Sequence, residues 1–260
     1  MTLTSRMALA VGAFALMPLT SALAADYDPP VYVDQAPDYV PVEVGSGWYL
    51  RGDVSYLVQK SFKNGDFTFP STINNENFSE SEDAVFASVG FGYHFNDYLR
   101  ADLNFGYLPG NNASYSYDDS AVVALPTLPT QGSGSLKNYA FSGIINGYVD
   151  LGTYVGITPY VGAGIGLVRS TRKLSATYTD NNAPANSFSV QDNATQYSLA
   201  YTLNAGLAYQ VTKNVSVDVG YQYFSAPSAE YVTAESLTSF PIQKGISNHQ
   251  VKLGLRYDLW

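Results

Sequence analysis

The sequence predicts an all-β protein, an eight-stranded antiparallel transmembrane β-barrel with short periplasmic turns and four long extracellular loops. Three observations lead to this fold class. The first two dozen residues have the composition of an export signal, and apolar and polar residues alternate with period 2 in segment after segment from Trp48 onward. The gaps between these segments are short and long in turn. No stretch after Trp48 shows the apolar stripe of an amphipathic helix.

Residues 1–24 are predicted to be a secretory signal peptide. Arg6 is their single positive charge, an apolar stretch from Met7 to Leu19 follows, and Ala22-Leu23-Ala24 forms a small-residue cleavage site. The apolar stretch is too short for a spanning helix; a buried N-terminal helix is the alternative interpretation. Residues 25–47 contain four prolines and five acids, which predicts an extended periplasmic leader or a tether to peptidoglycan or a partner.

The barrel is predicted to occupy residues 48–260 and to contain eight alternating segments. These are Trp48–Phe62, Ala84–Phe95, Tyr98–Tyr107, Leu136–Leu151, Thr158–Arg169, Thr195–Val211, Val215–Phe224 and His249–Leu259. Short gaps fall at Asn96-Asp97, Gly152–Ile157 and Thr212–Asn214. The four other gaps run to about twenty residues or more and are rich in Asn, Ser, Thr, Asp and Gly, which favour turns and loops.

The apolar face of each segment is predicted to point outward into lipid. Between Gln196 and Val211, large residues such as Leu203 occupy one face, and small or polar residues such as Asn204 occupy the other. An eight-stranded barrel is just wide enough for side chains to fill it, so small and charged residues fit inside and bulky aromatics do not. Outward aromatics near strand ends are expected to form the interfacial girdles of such a barrel. These are Trp48, Tyr98, Tyr107, Tyr197, Tyr209, Tyr223 and Tyr257.

Charged residues on the inward face are predicted to form a lumen cluster. Its members are Arg51, Asp53, His94, Arg100, Asp102, Asp150, Asp218, Lys252, Arg256 and Asp258. Buried charges are tolerated when they are partnered, which favours a plug of ion pairs, with Asp53 and Arg256 as the expected pair across the seam of first and last strands. Charged rings in a wet lumen also select ions, so an ion path or a gate stays open as the alternative.

Four motifs carry a family resemblance. They are Gly47-Trp48-Tyr49-Leu50-Arg51-Gly52-Asp53, Phe95-Asn96-Asp97-Tyr98-Leu99-Arg100-Ala101-Asp102, Thr158-Pro159-Tyr160-Val161-Gly162-Ala163-Gly164-Ile165-Gly166 and Val251-Lys252-Leu253-Gly254-Leu255-Arg256-Tyr257. From Trp48 onward the chain resembles the small outer-membrane surface antigens of alphaproteobacteria, which are porin-like by family name and similar to the OmpA membrane domain. Such barrels usually end in an outward aromatic that the barrel assembly machinery recognises. Here Leu259 takes that place and Trp260 is out of phase, which predicts weaker recognition.

Composition excludes several other function classes. The 260 residues include no cysteine and two histidines, which rules out a disulfide scaffold and leaves little for a zinc site. The formal charge of −9 argues against nucleic-acid binding. His249 beside Ser247 is the sole catalytic candidate, and Gly162, Gly164 and Gly166 alternate inside a strand rather than opening a helix. No enzyme activity, cofactor or metal is therefore predicted.

The resemblance and the fold together predict an integral outer-membrane protein of a Gram-negative bacterium. Its expected role is to stabilise the envelope and to display surface loops, as a surface antigen or adhesin does. The alternatives are a narrow porin-like ion channel and a surface receptor for haem or a host ligand. The expected partners are outer-membrane lipid and lipopolysaccharide, the assembly machinery, and peptidoglycan or host surface ligands.

Overall fold

The computed structural model describes residues 47–58, 61–62, 67–70, 73, 76–119, 129–237 and 239–259. The predicted signal peptide and nearly all of the predicted leader lie outside these residues, as does Trp260. The described chain forms ten strands and one 3-10 turn, η1 (Pro184–Asn186). The strands are β1 (Trp48–Leu57), β2 (Glu76–Glu82), β3 (Val85–His94), β4 (Leu99–Leu108), β5 (Asn111–Asp118), β6 (Gln131–Asp150), β7 (Ile157–Thr179), β8 (Phe188–Gln210), β9 (Val215–Val232) and β10 (Ile242–Asp258).

Eight of these strands close into a ring, which confirms the predicted fold class. The order is β6-β4-β3-β1-β10-β9-β8-β7, and β7 pairs again with β6. Every pairing in the ring is antiparallel. Closure gives the main-chain groups of each strand partners on both sides, as a sheet in lipid requires. None of the helical segments that the structure describes is long and apolar enough to cross a membrane.

The three turns at the periplasmic end are short, as their sequences predict. The side chain of Asn96 accepts hydrogen bonds from the amides of Tyr98 and Leu99, and Thr212 caps the β8–β9 turn in the same way. The β6–β7 turn contains Gly152 and Gly156 at φ +96° and +78°, a left-handed backbone that glycine adopts without strain.

At the other end, the strands continue far beyond the length that a bilayer needs. A spanning strand requires about 9–11 residues, whereas β7 and β8 contain 23 residues each. Residues predicted to lie in the third and fourth long loops are therefore largely strand. The connections that remain are residues 180–187 between β7 and β8 and residues 233–241 between β9 and β10.

Two more strands extend the wall on the β3–β4 side. β5 follows β4 after a break at Pro109-Gly110 and pairs with the upper part of β6, and β2 pairs with β5. Proline lacks the amide that would continue the ladder. A Cβ on Gly110 would collide with the main chain of Asn138, so only glycine permits this close approach. The first two predicted long loops therefore also contain β-structure above the membrane.

Candidate functional site

The spanning strands place apolar side chains outside and polar side chains inside. On β8, the Leu203 side chain is 55% exposed while that of Asn204 is 7% exposed. Of the seven aromatics expected in the girdles, Tyr223 is half-buried against His249, and the others are exposed on the outer wall. Trp48, Tyr98, Tyr209 and Tyr257 lie at the periplasmic end, and Tyr107, Tyr197 and Tyr223 lie at the extracellular end. Four further aromatics lie on the same two levels and were not predicted from the sequence, namely Tyr56, Phe141, Tyr154 and Tyr221.

Arg51 is the centre of an ionic network in the lumen. Its Nη2 lies 2.7 Å from Asp53 Oδ1, and its Nη1 lies 2.8 Å from Asp102 Oδ2. Asp218 Oδ2 is 3.7 Å from Arg51 Nη2, and Lys252 Nζ is 3.3 Å from Asp53 Oδ2. All five side chains are buried. The structure thus brings together five of the charges that the sequence placed on the inward face, and it pairs them across four strands.

Neutral side chains extend this network sideways. Asn146 Nδ2 donates to Asp102 Oδ1 at 2.9 Å, and its own Oδ1 accepts a hydrogen bond of 2.8 Å from Thr202 Oγ1. Asn104 Nδ2 also donates to Asp102 Oδ1, at 2.6 Å. Gly164 lies against these groups, and a Cβ there would collide with Asn146 and Thr202. Gly164 therefore makes room for polar side chains in the lumen.

A second set of charges lies nearer the periplasmic end. Arg100 Nε is 3.1 Å from both carboxylate oxygens of Asp150, and its guanidinium lies 4.4 Å from the ring centre of Tyr148. His94 Nε2 is 3.5 Å from Asp258 Oδ1. These contacts place the remaining acids of the predicted cluster beside basic side chains, Asp150 beside Arg100 and Asp258 beside His94.

The expected pairing of Asp53 with Arg256 is wrong, because the register of the two strands does not place these residues opposite each other. The seam between β1 and β10 places Gly254 opposite Asp53 and places Arg256 opposite Arg51. Asp53 is held by Arg51 and by Lys252, and the Arg256 guanidinium lies 5.6 Å from the ring centre of Tyr49. Sequence alternation identifies the face of a residue but not its height, because the stagger between strands is set only when the barrel closes.

Above the ionic network, a cluster of apolar side chains packs in the lumen beside buried amides such as Asn248 and Gln250, and this layer was not predicted from the sequence. Phe86, Ile144, Val168 and Phe224 point inward and belong to one buried cluster. A cavity of about 20 Å³ lies between this apolar layer and the network, a volume of about one water molecule. The sequence does indicate that these side chains point inward, since they occupy the same alternate positions as the inward residues lower on the same strands. The charged interior is therefore followed, at the level of Phe224, by apolar and neutral polar side chains.

An amide crosses the lumen above the apolar layer. Asn138 on β6 donates from Nδ2 to the Val232 carbonyl at 2.8 Å and accepts from the Val232 amide at 3.0 Å. The same Nδ2 lies 2.7 Å from Asn111 Oδ1 on β5. The Asn138 side chain thus donates and accepts one hydrogen bond each with the β9 main chain, as a main-chain peptide group of a neighbouring strand does. It fixes the separation of two strands that are not neighbours in the ring.

The extracellular part has its own packed interior. Tyr115, Tyr117, Tyr178 and Leu237 form a buried cluster, and burial raises the pKa of Tyr117 to about 12. Arg172 bridges strands beside this cluster, with Nε 3.0 Å from Asp192 and Nη1 2.9 Å from Glu230. Glu230 also contacts Lys244 at 3.3 Å. Hydrogen bonds from Lys244 and from Arg172 hold the Glu230 pKa below its usual value.

The catalytic candidate of the sequence analysis lies on the outer wall. The His249 ring is 5.0 Å from the ring of Tyr223 and 5.8 Å from that of Tyr221, and its Nδ1 is hydrogen-bonded to the Tyr221 hydroxyl. This arrangement is an aromatic contact at the extracellular end of the apolar band.

A closed antiparallel barrel with an apolar outer band, aromatic ends and a polar core defines an integral outer-membrane protein of a Gram-negative bacterium. Residues 7–258 match the model of the outer membrane protein beta-barrel domain family, and the chain belongs to that family.

Curated relatives and solved structures include proteins that are similar to this chain. An uncharacterized Brucella abortus protein is 29% identical over 251 residues, covering 84% of this chain and 87% of the relative. A Rickettsia felis protein named "Putative adhesin" is 25% identical over 220 residues, covering 84% and 90%. Among solved structures, Neisserial surface protein A matches with a TM-score of 0.43 and 17% identity, covering 83% of this chain and 99% of the other. OprG from Pseudomonas aeruginosa matches with a TM-score of 0.42 and 15% identity, covering 83% and 97%.

Proposed function

We propose that this protein is a non-conducting outer-membrane anchor that stabilises the envelope and displays an extracellular β-structured surface, in the manner of a surface antigen or adhesin. The observation that carries the proposal is the filled lumen. An ionic network around Arg51 is covered by an apolar layer that includes Phe86 and Phe224. Ions would have to displace paired charges and then cross apolar side chains. Both steps oppose conduction.

The extracellular part supports the display role. Strands β6 to β9 continue well past the apolar band, and a buried aromatic cluster keeps them packed. A relative carries the name "Putative adhesin", which agrees with a surface that meets other cells or their matrix. His249 has no catalytic role in this function, because its ring packs against two tyrosine rings rather than against an acid.

Conductance in planar bilayers separates an anchor from a pore. The refolded mature protein is expected to give no steady single-channel steps under conditions in which a known porin does. Steady steps from the unmutated protein would favour the alternative, a narrow porin-like channel. Ion selectivity that changes in Lys252→Met would then locate the ion path at the network.

Adhesion is tested on whole cells that express the protein. Residues 180–187 between β7 and β8 are replaced by Asn-Gly, a two-residue connection that suits a hairpin. Binding to immobilised host-cell matrix is expected to fall in this variant and to persist in Lys213→Gln, a substitution in the β8–β9 turn at the periplasmic end. Equal binding by cells with and without the protein would contradict the adhesin role. Haem binding by the same cells tests the receptor alternative.

A further inference from the structure

A basic patch lies on the outer wall just above the apolar band of β6 and β7. Its residues are Lys137, Arg169 and Lys173, all exposed and all on the outward face of their strands. Arg169 lies between Phe141 on β6 and Tyr197 on β8 in the strand register, at the level of the extracellular aromatic girdle. Such girdles lie at the depth of lipid headgroups. Arg169 therefore has the depth of the outer-leaflet phosphates.

Lys137 and Lys173 lie farther from the membrane and face each other. They are direct cross-strand partners, and like charges in such positions destabilise a sheet. Lys173 is four residues beyond Arg169, about 13 Å along the strand. The outward positions described on β6, β7 and β8 above the girdle contain no carboxylate that would offset these charges. The pair is thus suited to an external anion.

One aromatic ring lies within reach of both ammonium groups. Lys137 Nζ lies 6.0 Å and Lys173 Nζ 5.9 Å from the ring centre of Tyr139, within the range of cation–π attraction. Tyr139 is on the same outward face, one step above Phe141. Both lysines therefore share one aromatic neighbour on the outer wall.

Above the basic patch the wall carries rows of hydroxyl groups. One row runs through Ser79, Ser114, Ser135 and Ser175, which are paired in register across β2, β5, β6 and β7. These residues line a shallow depression of about 430 Å³. Hydroxyl groups both donate and accept hydrogen bonds, as sugar hydroxyls do. Phosphate-binding groups below and sugar-compatible groups above follow the order of a phosphorylated glycolipid whose acyl chains lie in the bilayer.

We propose that Arg169, Lys137, Lys173 and Tyr139 form a binding site for the phosphorylated saccharide headgroup of lipopolysaccharide, and that the serine rows above contact its sugars. The site is separate from the proposed adhesive role and depends only on the location of the protein in the outer membrane. Its occupant would neutralise the facing lysines and fix the barrel at a defined depth.

The test uses the mature protein refolded in phosphatidylcholine vesicles that contain EDTA, so that divalent cations cannot bridge acidic loops to the lipid. The folded barrel is expected to resist detergent and to migrate differently on gels before and after heating, and the measured quantity is the temperature at which the folded band disappears. The samples contain added lipopolysaccharide, the same lipid after dephosphorylation, or phosphatidylglycerol at equal charge. Binding to the folded state raises this temperature by mass action. We expect a rise with intact lipopolysaccharide and little or none with the other two lipids.

The Lys137→Gln/Lys173→Gln variant is expected to bind lipopolysaccharide at least about tenfold more weakly, as the loss of charge-assisted contacts implies. Lys213→Gln, at the opposite end of the barrel, is the matched control and should bind as the unmutated protein does. Lys137→Arg/Lys173→Arg keeps the charges and should restore binding, which separates a binding role from a folding role. An equal temperature rise in the Gln variant, or with dephosphorylated lipid or phosphatidylglycerol, overturns the proposal.

Discussion

Asp53 forms ion pairs with both Arg51 and Lys252, and the two cations respond differently to its removal. Arg51 keeps a second partner in Asp102 when Asp53 is removed, whereas Lys252 is left buried with an unpaired charge. Breaking one side of a buried pair costs about 3–5 kcal/mol. Asp53→Ala is therefore expected to lower the free energy of unfolding in lipid vesicles by this amount, measured by urea titration.

A second substitution shows whether Lys252 is the cause. Lys252→Met in the Asp53→Ala background is expected to recover much of the loss, giving a coupling energy in the double-mutant cycle. Asp97→Ala in an exposed periplasmic turn is the control and should be nearly neutral. If Asp53→Ala unfolds at the same urea concentration as the unmutated protein, the network does not stabilise the barrel.

Gly254 makes room for the same carboxylate. A Cβ at this position would collide with Asp53 Oδ1, whereas a Cβ on Gly52, which faces outward on β1, would meet nothing within 4 Å. Gly254→Ala is expected to cost about 1–3 kcal/mol, the usual range for overpacking a filled interior. Gly52→Ala should change the unfolding free energy little. Equal effects in the same urea titration would show that the lumen yields at Gly254.

On the scale of one strand, β8 tests the assignment of its faces. Leu203→Arg places a charge against lipid, at about 2–4 kcal/mol near the bilayer midplane. Asn204→Ser keeps a polar group in the lumen and removes long hydrogen bonds of 3.3 and 3.4 Å. Folding into vesicles is expected to suffer more from the first substitution. The reverse ranking would invert the two faces.

Glu230 ties together β7, β9 and β10 at the extracellular end, and its lowered pKa predicts a pH dependence. A carboxyl with a folded pKa below its unfolded value stabilises the fold above the unfolded pKa, and this contribution is lost as pH falls through the folded pKa. Amide hydrogen exchange in Ala229–Val232 should therefore accelerate, relative to the intrinsic rate, as pH falls below about 4.5. Glu230→Gln should remove this acid-dependent step. An unchanged step in Glu230→Gln would assign it to another group.

The same strands show what sequence alone can predict. Within the bilayer, β7 alternates with Ile165 and Leu167 outward, and this pattern identifies the strand. Above Arg169 the alternation inverts, so that Leu174 and Tyr178 point inward and hydroxyl residues point outward. The outward run of Ser, Thr and Lys is typical of a loop, which is why the strand was predicted to end ten residues early. A search for period-2 alternation that accepts apolar residues on either face of the strand would have followed β7 to its end.

For the whole molecule, closure and filling of the barrel have different causes. Main-chain pairing around eight strands closes the ring, and its short turns and two faces are largely visible in the sequence. The contents of the lumen depend on the stagger of the strands, which brings Asp53 to Lys252 rather than to Arg256. Parity places Phe86 and Phe224 on the inward faces of their strands, but only closure brings them into one buried cluster, so the height of the apolar layer could not be predicted strand by strand.

The apolar layer predicts that water has little access to the lumen of the closed barrel. Ser142 lines the small cavity below the apolar layer, and the chain contains no cysteine, so Ser142→Cys gives a single reporter. In the folded protein its reaction with a charged, water-soluble thiol reagent should be slow. The control, Ser133→Cys on the exposed outer wall, should react quickly.

Boiling in detergent should equalise the two reaction rates, and the same step should shift the protein on gels, because the closed ring resists detergent until heated. Phe224→Ala should accelerate labelling of Ser142→Cys without removing the heat-dependent shift, since it opens the layer and leaves the ladder intact. If folded Ser142→Cys reacts as fast as Ser133→Cys, the lumen is filled with water. The proposal of a non-conducting anchor would then be wrong, and the narrow porin-like channel would be favoured.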